Sequence, residues 1–311
     1  PPNRAEIGAA FTEWEKARGV VRLFNRNTFG FGERLSLLLV ASEANLGGSL
    51  GLRGEMPFFH HLAYRADAFV FSDKPRFFDD EGKKVNRAEF DRRGVNLALQ
   101  APLERWGLLE AGVRLGSVAT EWKPGLALPE GTDDTRTVYA GIVVDHLNRL
   151  LWPDSGQRLA VYGWWSSDEM GATRPFWRVE GEARLARGIG RRAVVQLDAY
   201  AGLSGDDMPV YDWFRVGGPY LIPGYHHEEL KGLQALAGAV SARYRLIDNL
   251  AVVARVGSGN VYASRSDITL DDLRWGVGAG IVYQSRVGPL ALEWGWHDGG
   301  GSLLSASLGW N

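Results

Sequence analysis

The chain has no cysteine, which excludes disulfide frameworks and thiolate metal sites. No stretch approaches the ~20 uninterrupted apolar residues that a membrane-spanning helix requires, and no basic-then-apolar leader opens the sequence. Neither sign of charge is in excess: 35 basic and 37 acidic residues, spread along 311 positions, form no basic stripe able to track a phosphate backbone. Nucleic acid is therefore not an expected partner. Helical spacing of apolar residues is equally scarce. What is plentiful is glycine, 40 residues, and tryptophan, 12, the vocabulary of tight turns and amphipathic strands.

The dominant periodicity is two, as strands with unlike faces produce. Leu290, Leu292, Trp294 and Trp296 alternate with Ala291, Glu293, Gly295 and His297, and Trp275, Val277, Ala279, Ile281 and Tyr283 alternate with Arg274, Gly276, Gly278 and Gly280. Near residue 180 the contrast sharpens: Trp177, Val179, Ala183 and Leu185 against Arg178, Glu180, Glu182 and Arg184. Such runs predict sixteen strands, near 4–13, 18–25, 33–42, 46–55, 60–72, 85–101, 107–122, 135–146, 157–168, 174–186, 191–202, 231–246, 249–261, 273–284, 288–297 and 302–310. An even count suits a bacterial single-chain barrel. Many of these runs exceed the five or six residues usual in soluble sheets and match the ~9–11 tilted residues that cross a bilayer.

Long connections at 73–84, 123–134, 203–230 and 262–272 all fall on one side when strands are counted from the N-terminus. Long loops belong outside the cell and short turns in the periplasm, so both chain ends are expected to be periplasmic. Trp14, Trp106, Trp122, Trp164, Trp165, Trp177, Trp296 and Trp310 stand near strand ends and read as interfacial aromatic girdles. A soluble sandwich or propeller shares the alternation but explains neither the strand length nor the girdles. The expected fold is all-β: a sixteen-stranded antiparallel transmembrane β-barrel in the outer membrane, one domain over 1–311, in contact with membrane lipid and lipopolysaccharide.

Alternation also sorts the charges. Arg178, Glu180, Glu182, Arg184, Asp198, Arg243, Arg245, Arg274 and Glu293 are expected in the lumen, where opposite signs pair and anchor an inserted loop; in hydrocarbon each would cost roughly 2–4 kcal/mol near the midplane. A packed polar interior with no substrate is the equal alternative. Gly47-Gly48-Ser49-Leu50-Gly51 and Asp298-Gly299-Gly300 imitate a serine–aspartate hydrolase dyad, but a nucleophile elbow needs a strand turning into a helix, and Ser49 sits in an alternating strand. Catalysis is not expected. His60-His61 and His226-His227 are adjacent pairs whose members point to opposite faces on a strand; His226-His227-Glu228-Glu229 could hold a cation if the loop folded back, but a polar loop tip explains it as well. No metal or cofactor is expected.

The most informative stretch is 212–245, a glycine-punctuated loop of about 28 residues running into an alternating strand. Loops of that length are functional or disordered, and this one is rich in aromatics rather than disorder-promoting residues. Phe214-x-x-Gly217-Gly218, then Ile222-Pro223-Gly224-Tyr225, then Glu229-Leu230-x-Gly232 is similar to the lumen-inserted sixth extracellular loop of the BamA-type outer-membrane barrel superfamily. Further motifs resemble its turns in order and spacing: Asn25-x-x-x-Phe29-Gly30-Phe31-Gly32-Glu33, Met56-Pro57-Phe58-Phe59, Asp145-x-Leu147 with Pro153-x-x-Gly156, and Gly276-Val277-Gly278-Ala279-Gly280 leading to Val287-Gly288-Pro289-Leu290. Within the superfamily, Gly224-Tyr225 followed by Glu229-Leu230-x-Gly232 most resembles the patatin-like, type Vd autotransporters.

The resemblance implies a translocator or anchor for an N-terminal lipase passenger, joined to it through a POTRA domain, both lying outside this chain. It implies a lumen loop carried by Phe214, Gly217, Gly218, Gly224, Tyr225 and Gly232, with Tyr225 on the inner wall. Recognition by the barrel-assembly machinery would use Trp310. A homodimer is an open partner state. A BamA- or TamA-like insertase, opening between 4–13 and 302–310, or a two-partner-secretion transporter is the alternative. Pro223 stands where many members carry arginine, so the arginine contact that pins their loop is not carried over.

Overall fold

The computed structural model describes residues 3–12, 14–30, 32–56, 59–79, 82–122, 130–149, 152–285 and 288–309. Trp310, with Phe31, Pro57, Phe58 and Val287 of the turn motifs and most of the expected connection 123–134, lies outside the described residues.

The wall starts with β1 (Asn3–Thr12), β2 (Lys16–Arg26), β3 (Arg34–Ala41), β4 (Asn45–Met56) and β5 (Phe59–Asp73). A short β6 (Arg76–Phe78) precedes β7 (Lys84–Pro102), β8 (Leu108–Trp122), β9 (Gly131–Asp145), β10 (Gly156–Ser166), β11 (Phe176–Ile189) and β12 (Ala193–Ser204). A separate hairpin of β13 (Phe214–Val216) and β14 (Leu230–Gly232) follows, then β15 (Gln234–Ile247), β16 (Leu250–Tyr262), β17 (Arg274–Ser285), β18 (Gly288–His297) and β19 (Ser302–Gly309). Leaving out β6, β13 and β14, sixteen antiparallel strands pair each with the next, and β1 pairs with β19 to close the cylinder. The sheet thus closes on itself, as a bilayer demands of any spanning sheet.

The two faces separate as the alternation predicts. Val179, Leu185, Leu197, Val240, Val256, Ile281, Leu292 and Trp294 point outward and stay exposed, because no protein element covers them. Such a continuous apolar exterior is tolerable in lipid and not in water. The buried apolar clusters lie inside: one joins Phe176, Ala235 and Ala237 of the wall to Phe214, Val216, Ile222 and Tyr225, and a second joins Phe90 and Val118 to Tyr211.

Two expectations are corrected. Trp14, Trp122 and Trp164 are not girdle residues. Trp122 packs edge-on against Phe77 and Phe90, Trp164 lies beneath the Arg178 guanidinium, and Trp14 stacks on His227. Strand pairing puts Trp122 and Trp164 on the inner face, where being near a strand end carries no information. Gly232 belongs to β14, opposite Phe214, rather than to the barrel strand that starts at Gln234.

Candidate functional site

Residues 205–233, between β12 and β15, run along the inner wall. The segment begins with a 3-10 turn, Val210–Asp212, held from two strands. Arg92 on β7 donates to the Tyr211 carbonyl and, at 3.3 Å, to the Asp212 carboxylate, while Arg178 on β11 donates to the Asp212 carbonyl at 2.9 Å. The Phe214 ring fills the space left beside Gly202 of β12, where any Cβ would meet it.

Beyond β13 the backbone reverses. Gly217, Gly218 and Gly224 have φ of +124°, +97° and +92°, conformations that L side chains rarely adopt. The chain then lies on a bed of wall glycines: a Cβ at Gly257 would overlap the Leu221 carbonyl, one at Gly276 the Pro223 carbonyl, and one at Gly295 the Gly224 amide. Three adjacent strands therefore offer a flat trough to 221–224. Arg255 of β16, almost fully buried, flanks it, donating to the Pro219 carbonyl and at 3.0 Å to Glu293 of β18. The pinning guanidinium comes here from the wall, not from the loop position that Pro223 occupies.

Tyr225 is 2% exposed, donates its hydroxyl to Asp298 Oδ1 at 2.7 Å, and packs its ring 4.3 Å from that of His297. Burial, reinforced by Asp298, pushes its phenol up to about 12. Arg274 of β17 also faces this hydroxyl. The segment then runs past the β1–β2 turn to the connection between β5 and β7. His226 stacks on Phe78 at 4.8 Å, His227 on Trp14 at 4.4 Å, and Lys231 donates to the Arg76 carbonyl at 2.6 Å. Burial pushes the Lys231 ammonium down to about 7 and lowers both imidazoles. Arg215 pairs with Glu228 at 3.1 Å.

The other expected lumen charges serve the wall itself. Arg184 pairs with Asp198 at 2.6 Å, Arg158 with Glu182 at 2.9 Å, and Arg178 also with Glu180 at 2.9 Å. Arg243 faces inward but holds the turn after β9 rather than the long segment: it reaches Asp154 at 2.6 Å and lies over the Trp152 ring, as Arg245 reaches Asp154 at 3.6 Å. Between the long segment and the wall from β3 to β12 remains a cavity of about 780 Å3 bearing Arg65, Asp67, Arg92 and Arg114.

Ser49 lies mid-strand in β4 between Leu38 and Phe69, and the Asp298 carboxylate accepts from Tyr225 and the Trp275 amide. The 226–229 run gathers no ligand set, its imidazoles being spread over two rings and the Glu229 carboxylate accepting from the His226 amide. Sequence reading missed Arg255 and the glycine bed. The signal for Arg255 was a single cation on the inner parity of the small, apolar run Ala251 to Gly257.

Closed wall, apolar exterior, polar interior and inner segment together define a transmembrane β-barrel of the outer-membrane kind. Residues 27–302 match the Omp85 superfamily domain, and the chain belongs to the Omp85 superfamily; it is an integral outer-membrane protein. No curated protein matches it. Among solved structures it is similar to BamA from Haemophilus ducreyi lacking POTRA domains 1-3, with TM-score 0.83 and 12% identity over 99% of this chain and 70% of that one. CdiB from Escherichia coli gives TM-score 0.67 at 14% identity, covering 100% of this chain and 63% of its own. CdiB from Acinetobacter baumannii gives 0.61 at 14% identity, covering 99% and 59%. The chain thus spans about three fifths of the two CdiB proteins.

Proposed function

We propose that this barrel is the membrane translocator or anchor of a patatin-like type V secretion protein, passing or tethering an N-terminal lipase passenger through a POTRA domain, with no catalysis of its own. The observation that carries it is the seating of 205–233: Arg92, Arg178 and Arg255 hold its carbonyls from the wall, and 221–224 rest on a trough of wall glycines, the arrangement expected of a plug. The chain ends are periplasmic in this reading, the barrel-assembly machinery inserts the chain, and lipopolysaccharide surrounds its outer rim.

A second reading, an insertase of the BamA or TamA kind or a two-partner-secretion transporter, is favoured by the seam. Among the described residues β1 pairs with β19 at Ala10, Phe11 and Thr12, against Gly309, Leu308 and Ser307, whereas β1 pairs with β2 all along its length. A short seam offers a lateral exit and an edge for a client strand.

The cysteine-free chain permits a clean test. Phe11→Cys with Leu308→Cys locks the seam in the full-length protein. Undiminished surface display of the passenger supports the translocator. Loss of display, or arrest of other barrels' assembly, overturns it in favour of the lateral route.

A further inference from the structure

The inner segment touches both banks of the seam. On the β19 side, the Tyr220 phenol faces the Ser307 side chain, and Arg255 lies over the Tyr220 ring at 5.3 Å while donating to the neighbouring Pro219 carbonyl. Ser307 is the residue of β19 that pairs with Thr12. On the β1 side, His227 stacks on Trp14 at the tip of the β1–β2 hairpin, two residues beyond Thr12. Thr12 is fully buried and its hydroxyl accepts from the Glu15 amide at 3.1 Å, which shapes that tip. The tip is held a second time: Arg76 donates to the Trp14 carbonyl at 2.9 Å, and Lys231 donates to the carbonyl of the same Arg76 at 2.6 Å. A pocket beneath these contacts is lined by Trp14, Pro219, His226, His227, Leu303 and Ser305, so both banks and the segment share one surface.

We propose that residues 219–231 form a strap across the inner face of the seam, with Tyr220 and His227 as its two positioning residues, so that docking of the segment and closure of the barrel are one equilibrium. The contacts that hold the segment in the lumen then also supply cohesion that the described β1–β19 pairing lacks. A ligand or polypeptide that lifts the segment loosens the seam, and a client that prises the seam apart frees the segment. By linkage the two effects are equal in size when written as binding free energies. The inference does not depend on which polypeptide the barrel handles, or on whether it leaves through the lumen or the side.

The test reads the seam and the segment separately, in the purified barrel folded in lipid nanodiscs. Spin labels on Phe11→Cys and Leu308→Cys report the spread of seam distances, and limited proteolysis reports release of 219–231. His227→Ala and Tyr220→Phe are expected to raise the open-seam population together with the cleavage rate, each by about fivefold or more, the lower end of ordinary coupling. In the reverse direction, oxidising the same cysteine pair to a disulfide is expected to slow cleavage by a matching factor. Retained heat-modifiable migration shows that each variant folds, and if His227→Ala does not, His227→Gln takes its place. Faster cleavage with an unchanged seam distribution, or a locked seam with unchanged cleavage, overturns the strap. Neither outcome bears on the translocator reading, which passenger display decides.

Discussion

Tyr225 donates to Asp298 across 73 residues of sequence, at 2.7 Å, tying the inner segment to the turn between β18 and β19. A hydrogen bond to a charged acceptor contributes about 1.5–3 kcal/mol. Tyr225→Phe keeps the ring against His297 and removes the bond. We expect a lower Tm and a several-fold faster proteolytic cleavage near residue 225, with the strand content by circular dichroism unchanged. Equal cleavage rates would show that the bond holds nothing.

The glycine bed yields a sharper contrast. Gly276→Ala places a Cβ into the Pro223 carbonyl, whereas at Gly181 the nearest atom to an added Cβ is Val161 Cγ2, at an ordinary 3.6 Å. Gly276→Ala is expected to unseat 221–224 and raise single-channel conductance in planar bilayers, while Gly181→Ala leaves it at the wild-type value. Similar conductance in both variants would mean that the trough does not position the segment.

Docking should also depend on pH through Lys231. Burial lowers its ammonium to about 7 when docked, against 10.5 when free, despite the opposing pull of Glu228 and Glu229. Between those values the docked segment binds fewer protons than the released one, so through Lys231 docking strengthens as pH rises from about 7 to about 10.5. Cleavage of the segment should therefore slow between pH 7 and pH 9. Lys231→Met should flatten that slope; an unchanged slope would assign the effect elsewhere.

The outer face provides a stability test. Leu197, 45% exposed, faces lipid in mid-β12, and Asp198 beside it faces the lumen. Leu197→Arg is expected to cost about 2–4 kcal/mol in urea-driven unfolding from vesicles, as a cation near the midplane does. A cost near zero would reverse the assignment of the two faces.

Much of this architecture was legible in the sequence because a strand in a two-solvent wall repeats its instruction every second residue. Val179, Leu185, Arg178 and Glu180 declare their faces without reference to any other strand, and sixteen such runs count themselves. Glycines 217, 218 and 224 likewise announced reversals that the dihedrals contain. Contacts that depend on registry between distant segments were not legible. Nothing local distinguishes Trp164, beneath Arg178, from Trp165, which faces outward and is 51% exposed. Arg243 has the parity of a loop anchor, yet the turn carrying Asp154 reaches it instead. Arg255 went unnoticed because its partners, Pro219 and Glu293, lie 36 and 38 residues away on either side.

The pairing of Arg255 with Glu293 bears on whether the segment can come and go. Were the guanidinium bound to the segment alone, departure would strand a cation in a dry wall and make release prohibitive. Here the carboxylate partner stays behind on β18, so the vacated trough remains electrically balanced and can be refilled. In the translocator reading, seating and release of the segment therefore leave the charge of the wall unchanged.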